Sequence, residues 1–297
     1  HELLFDALRS TVGNAGTRLA ELVADATTNA GSLRWQVPKL RRLERWAIRR
    51  ADAILCVSER LRERTVRWQP VAAGKIVVIP CCYDPRVAGR DEAAIERLRG
   101  ELALDPARDF VLTYAGSLSV WNRPEAIREV FHAFRQIHAR TRLLLLTGDL
   151  EAAQASFGDE AAIIIRSIPH EEIQHHLALA DLGLLLRDRS SVNRVASPVK
   201  FAEYLACGVP VLVTPGVGDC PDIVRREGVG YLLDADLQLS RIVSEIRANR
   251  ADFRARCREV ATRYFDGDAY RALYGELVGG KAFRRLPEAP SVGKACA

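Results

Sequence analysis

From residue 109 onward the chain repeats one pattern, and that pattern limits its fold more than any other feature. DFVLTYAG (109–116), RLLLLTGD (142–149), AAIIIRSIP (161–169), LGLLLR (182–187) and VPVLV (209–213) are nearly continuous apolar runs. PEAIREVFHAFRQIH (124–138), EAAQASFG (151–158), HEEIQHHLALAD (170–181) and PVKFAEYLAC (198–207) separate them and carry helical periodicity or composition. Strands apolar on both faces belong to a parallel sheet covered by helices on either side, so an α/β, doubly wound architecture is expected. Ligands of such sheets bind beyond the carboxyl ends of the strands. Three loops lie there: 116–123, 147–149 and 187–197.

The last of these loops leads into SPVKFAEYLACGVPVLVT (197–214). Ser197 is expected to cap a helix and Pro198 to occupy its first position, where a missing N–H costs nothing. Phe201, Ala202, Leu205 and Ala206 form its apolar face, Gly208 stops it, and a β-branched strand follows. Lys200 in the first turn is unexpected, because the helix dipole there favours acids. Glu203, three residues on, projects from the same side. A lysine beside helix N–H groups suits a phosphate, and a carboxylate one turn further suits a diol such as a ribose. The spacing alone serves equally a solvated Lys–Glu pair on a surface helix.

PVKFAEYLACGVPV resembles the donor-site helix of retaining glycosyltransferases of the GT-B fold, specifically glycosyltransferase family 4. The resemblance implies that Glu203 is the second Glu of a Glu-x7-Glu pair and holds the nucleotide ribose, while Val195 stands where the first Glu contacts the donor sugar. ADAILCVSERLR (51–62) and KIVVIPCCYD (75–84) resemble the end of the family's N-terminal domain, with Cys81 and Cys82 in place of Asn-Gly and Asp84 matching its Asp. In the family, the loop after the first C-terminal strand carries Gly-Arg and a later Lys on the donor diphosphate. Here it reads GSLSVWNR (116–123), so Gly116 and Ser117 are assigned to donor binding and Arg123 to the diphosphate. Arg187, Arg189, Arg194 and Lys200 gather against one acid, Asp188, a density of positive charge that suits a nucleoside diphosphate. Gly148, Asn193, Arg194, Ser197 and Pro198 complete the expected donor site, with Lys200 and Arg123 as the groups that stabilise the leaving diphosphate.

The resemblance implies a partial N-terminal Rossmann-like domain (1–88), a connection (89–106), a nucleotide-sugar-binding domain (107–265), a helix returning to the N-terminal side (266–284) and a disordered tail (285–297). The expected activity is sugar transfer from a nucleoside-diphosphate sugar to a glycan or lipid-linked acceptor, retaining and without a metal or other cofactor. About 85 residues precede the connection where the family has about twice as many, and the chain has no Met, so a fragment or processed form is expected. A noncatalytic nucleotide- or sugar-binding module and a nucleotide-sugar epimerase of the same fold are the alternatives. A dinucleotide-dependent oxidoreductase is disfavoured, because no Gly-x-Gly-x-x-Gly follows a strand and Gly216-Val217-Gly218 lacks the third glycine.

The seven cysteines are scattered without a Cys-x-x-Cys pair, which supports neither a zinc site nor a disulfide framework. The histidines show no metal-ligand spacing and are expected to cap or line helices. A net charge of +5 is mild, and nucleic-acid binding is not expected. No apolar run reaches the roughly 20 residues of a membrane span, so a cytoplasmic chain is expected. RWQVPKLRRLERWAIRR (34–50) is basic and amphipathic, with Leu43, Trp46 and Ala47 on the apolar side. Residues 39–50 suit either peripheral contact with an anionic inner membrane face or the solvated side of a packed helix.

Overall fold

The computed structural model describes residues 33–89, 91–118, 123–158, 160–234 and 237–278, with side chains between residues 40 and 275. Residues 1–30 alternate small apolar and polar residues, which suits one or two helices; they and the tail from 285 lie outside the described residues.

The N-terminal unit comprises helix α1 (Leu33–Arg50), strand β1 (Ile54–Cys56), helix α2 (Glu59–Trp68) and strand β2 (Ile76–Val78). β1 and β2 are parallel, and Ile48, Cys56, Ala72, Ile76 and Val78 form a small core. The apolar side of α1 differs from the expected one. Ile48 is buried, whereas Trp46 is 58% exposed and Ala47 is also outside. The helix packs against the 3-10 turn Pro70–Ala72 and enters the small core through Ile48, which leaves Trp46 on the solvent side with Arg50 over its ring.

Helix α3 (Glu92–Glu101) leads into the main sheet: β3 (Phe110–Ala115), β4 (Thr141–Leu146), β5 (Ile163–Arg166), β6 (Leu182–Leu185), β7 (Val211–Val213) and β8 (Gly230–Leu232). All neighbours are parallel, in the order β5-β4-β3-β6-β7-β8. The intervening helices are α4 (Pro124–Ile137), α5 (Leu150–Phe157), α6 (Ile173–Leu177), α7 (Val199–Ala206) and α8 (Cys220–Glu227), and α9 (Leu239–Ala248), α10 (Arg250–Phe265) and α11 (Gly267–Val278) follow β8.

The period of two sorts strand residues between two cores. Val111, Ala115, Leu144, Val211 and Val213 face α7, α8 and α10, while Phe110, Leu112, Tyr114, Leu143 and Leu184 face α4, α5 and α9. This is the doubly wound α/β sheet expected from the apolar runs. β8 was not legible, because its three residues are only partly buried and too few to show a period. The expected helix 170–181 is shorter than its pattern. A 3-10 turn (His170–Glu172) precedes α6, and Arg254 then donates to the carbonyls of Ala178 and Ala180, which ends the helical ladder.

The topology places the ligand crevice. The chain runs outward from β3 through β4 and β5, then returns to β6 on the other side of β3. Loops that leave β3 and β6 therefore diverge and open a crevice at their carboxyl ends. Several contacts bind the N-terminal unit to this end of the sheet. Ser58 Oγ donates to the Val195 carbonyl at 2.7 Å, an Arg64 nitrogen to the Ser191 carbonyl at 3.2 Å, and the Tyr83 N–H to the Phe265 carbonyl at 3.2 Å. On the far face of β2, Val77 packs with Tyr270 and Leu273 of α11.

Candidate functional site

The crevice is assembled from the ends of β3 and β6 and the start of α7. β3 ends in Tyr114 and Ala115, and the Ala115 N–H donates to the Tyr204 hydroxyl of α7 at 2.9 Å. That bond requires Tyr204 to reach the sheet. It does so because Gly183 of β6 has no side chain: a Cβ there would lie 2.7 Å from the Tyr204 ring.

One turn earlier, Lys200 extends over the end of β3. Its ammonium lies 4.4 Å from the centre of the Tyr114 ring and donates to the Tyr114 hydroxyl at 3.2 Å. The same hydroxyl donates to the Ser117 carbonyl at 2.5 Å. Gly116, at φ +132°, passes directly beneath: a Cβ there would sit 2.7 Å from Lys200 Nζ. Sequence reasoning gave Gly116 the task of admitting a ligand; within the chain it admits Lys200. Burial, and then the charge of Arg187, bring the Lys200 ammonium down to about 7, with Glu203 acting in the opposite sense.

Arg187 follows β6, and its backbone is held by the Thr214 hydroxyl, which accepts from the N–H and donates to the carbonyl at 3.0 Å each. One guanidinium nitrogen donates to Asn193 Oδ1 at 3.0 Å, while Nε is buried without a hydrogen-bond partner. Glu203 is 8% exposed. Burial raises its pKa, His170 and Lys200 lower it, and Asp84 raises it. The charges of His170 and Asp84 thus act on Glu203. Asp84 itself is tied to Arg86 by the backbone N–H at 2.9 Å and by the guanidinium at 2.6 Å, which holds it at about 2.

The structure redistributes several expected site residues. Ser197 does not cap α7. Its hydroxyl instead accepts the Cys81 N–H at 3.1 Å, and Pro198 occupies the cap position in extended geometry rather than the first helical position. The chain turns too late for Ser197 to face the helix N–H groups. Asn193, 1% exposed, is occupied inside its own loop: its amide donates to the backbone carbonyl and carboxylate of Asp188 and accepts from Arg187. Arg194 turns back to donate twice to the Arg189 carbonyl, at 3.3 and 3.2 Å. Arg123 is exposed in left-handed conformation (φ +47°) at the start of α4, and its charge acts on Asp188. Gly148 is exposed, and a Cβ there would meet nothing within 4 Å. Gly218, of the incomplete glycine motif, lies against the Ala196 backbone, where a Cβ would be 1.8 Å from its carbonyl oxygen. It packs the loop and offers no cradle.

Two residues that act on Lys200 and Glu203 were partly hidden in the sequence. Tyr114 lies inside an apolar run and reads as core, and its role depends on a lysine 86 residues away. His170 reads as a helix cap, and only the packing of its turn brings it near Glu203.

Comparison with known proteins speaks to the family and the fold. Residues 24–87 match the family model described as Glycosyltransferase Family 4, and residues 109–248 match Glycosyl transferases group 1. A curated relative, 2-deoxystreptamine glucosyltransferase of Streptomyces kanamyceticus, is 28% identical over 202 residues, 65% of this chain and 50% of the relative. The chain thus spans about half the length of that relative. Among solved structures, sucrose-phosphate synthase from Thermosynechococcus elongatus superposes with a TM-score of 0.61 at 21% identity, over 80% of this chain and 60% of its own. HepE of Anabaena, in complex with UDP, gives 0.62 at 18% identity, over 79% and 65%. With both family models matched on consecutive segments and this fold beneath them, the chain belongs to the glycosyltransferases of the GT-B fold.

Proposed function

We propose that the crevice between β3 and β6 binds a nucleoside-diphosphate sugar, and that the protein to which this chain corresponds transfers the sugar to a glycan or lipid-linked acceptor with retention of configuration. The observation that carries this reading is the convergence of Lys200 and Arg187 on one crevice, one with its ammonium on Tyr114 and the other with a buried Nε lacking a partner. Two cations brought together and partly withdrawn from water are costly unless an anion joins them. Glu203, one turn inside, is placed for a ribose diol. In this reading Lys200 and Arg187 stabilise the negative charge that develops on the departing diphosphate, the task a divalent cation performs elsewhere, so no metal is required. In this reading Arg123, Gly116, Ser117 and Gly148 border the donor, and the acceptor approaches from the N-terminal unit. HepE of Anabaena has been solved with UDP and with UDP-glucose, which makes UDP the first nucleotide to test.

Calorimetric titration with UDP, GDP and ADP tests the assignment. One nucleotide is expected to bind, and Glu203→Ala or Lys200→Ala should weaken it at least tenfold, about 1.4 kcal/mol. No binding of any of the three by a folded chain would remove the donor site. Turnover that is unchanged by a chelator supports the metal-free reading, and loss of turnover opposes it.

One observation favours a second reading, a binding module without transferase activity: Val195, at the position of the sugar-contacting Glu, has no polar side chain, and its carbonyl is engaged by Ser58. Nucleotide binding without hydrolysis or transfer of any nucleotide sugar would favour it. Among the described residues no helix is long and apolar enough to cross a membrane. Helix α1 turns Arg41, Arg42, Arg45, Trp46, Arg49 and Arg50 outward, a surface fit to rest on anionic lipid, which co-sedimentation with anionic and neutral vesicles would test.

A further inference from the structure

The surroundings of Lys200 have a consequence for how a donor binds. From β3, Tyr114 presents its ring and its hydroxyl to the ammonium. From the end of β6, Arg187 adds a second positive charge. From α7 itself, Glu203 supplies the opposing charge, and it is mostly buried. From the end of β4, Asp149 acts on Tyr114, with its carboxylate accepting the Leu118 N–H at 2.8 Å. Gly116 closes the floor. Lys200 is thus confined by an aromatic ring, a backbone and a competing cation. Near neutral pH its amine is divided between the charged and uncharged forms.

We propose that the donor diphosphate adds counter-charge to a cation pair that Glu203 offsets only in part, so that its binding draws a proton from solvent onto the Lys200 amine, and that Tyr114 is the positioning residue that holds the amine to receive it. The inference rests on the donor-site reading above. The proton balance is simple: the neutral amine takes one proton from buffer as the diphosphate enters, and releases it when the nucleotide departs. The diphosphate itself contributes no proton at about pH 8: in a nucleotide sugar both phosphates are esterified and fully charged, and the terminal phosphate of a free nucleotide, with a pKa of about 6, is already ionised.

The test is titration calorimetry on the full chain at about pH 8, with UDP, GDP and ADP in turn, in two buffers of different ionisation enthalpy. The nucleotide that binds is expected to take up most of one proton per site, and its affinity is expected to fall by up to about tenfold per pH unit between about 7.5 and 9. Lys200→Arg, which keeps its charge throughout, should bind with heats independent of buffer. Tyr114→Phe keeps the ring and loses the acceptor. It should bind roughly tenfold more weakly and shift the affinity profile to lower pH, a change that loss of packing alone would not produce. Thermal melts establish that each variant is folded, and the proton count on the parent chain decides the matter even if a variant is not. Tight binding with buffer-independent heat at about pH 8 overturns the inference and leaves the donor site in place. Absence of binding by all three nucleotides overturns both.

Discussion

A lysine folded into a crevice with an arginine is held there at a thermodynamic cost. Desolvation and the nearby guanidinium lower its pKa from 10.5 to about 7, so between these values the unfolded chain binds more protons than the folded one. Stability therefore rises with pH through that window, and the penalty is fully present below about 7. Lys200→Met removes both the penalty and its slope. We expect the variant to melt about 3 °C or more above the parent at about pH 7, with the gap narrowing by about pH 9.5, while nucleotide binding is lost. A gap that does not change with pH would mean that Lys200 is not the group responsible. Lys200 and Glu203 were legible in the sequence, because a separation of three on a helix is a local property. The bonds of Asn193 and Arg194 within their own loop were not legible for the opposite reason: which neighbour a loop side chain bonds depends on how the loop closes on itself.

At the scale of elements, the first turn of α2 is completed by the other side of the molecule. Ser58 accepts the Leu61 N–H at 3.0 Å, as its position before the helix predicts. The two preceding donors, Glu59 and Arg60 N–H, go to the Asp219 carboxylate at 2.7 and 3.1 Å. Asp219 is thus a cap supplied from a distance of 160 residues in sequence. Asp219→Ala should cost about 1 kcal/mol, and Asp219→Asn less, since the amide keeps one acceptor. Hydrogen exchange should locate the effect: the Glu59 and Arg60 amides accelerate in Asp219→Ala, and those of β3 do not. Equal acceleration throughout the sheet would instead show Asp219 to be a general support of the fold. The α2 boundary was readable from Ser58, but nothing near it in sequence announces Asp219.

For the whole molecule, the N-terminal unit and the 187–197 loop are joined by the Ser58–Val195 and Arg64–Ser191 bonds and by Cys81 on Ser197. A nucleotide held by Arg187 and Lys200 would therefore order more than its own crevice. At about one hundred times its dissociation constant it should stabilise the chain by about 2.7 kcal/mol, and slow exchange should extend to the start of α2 as well as to 187–197. Protection confined to the sheet ends would show that the N-terminal unit is energetically independent of the site.

The amino-acid sequence by itself determined the parallel sheet, its two helix layers and the helix that carries Lys200 and Glu203. These follow from apolar periodicity, turn residues and spacing, which act over a few neighbouring residues. Only the tertiary structure decided which side chains meet at the crevice. Tyr114 lies under Lys200, Arg187 beside it, Ser197 on Cys81 and Asp219 on α2, all contacts between segments far apart in the chain. The order of the strands brings these segments together, and no local pattern records that order: it emerges when six strands choose their neighbours and the loops of β3 and β6 part.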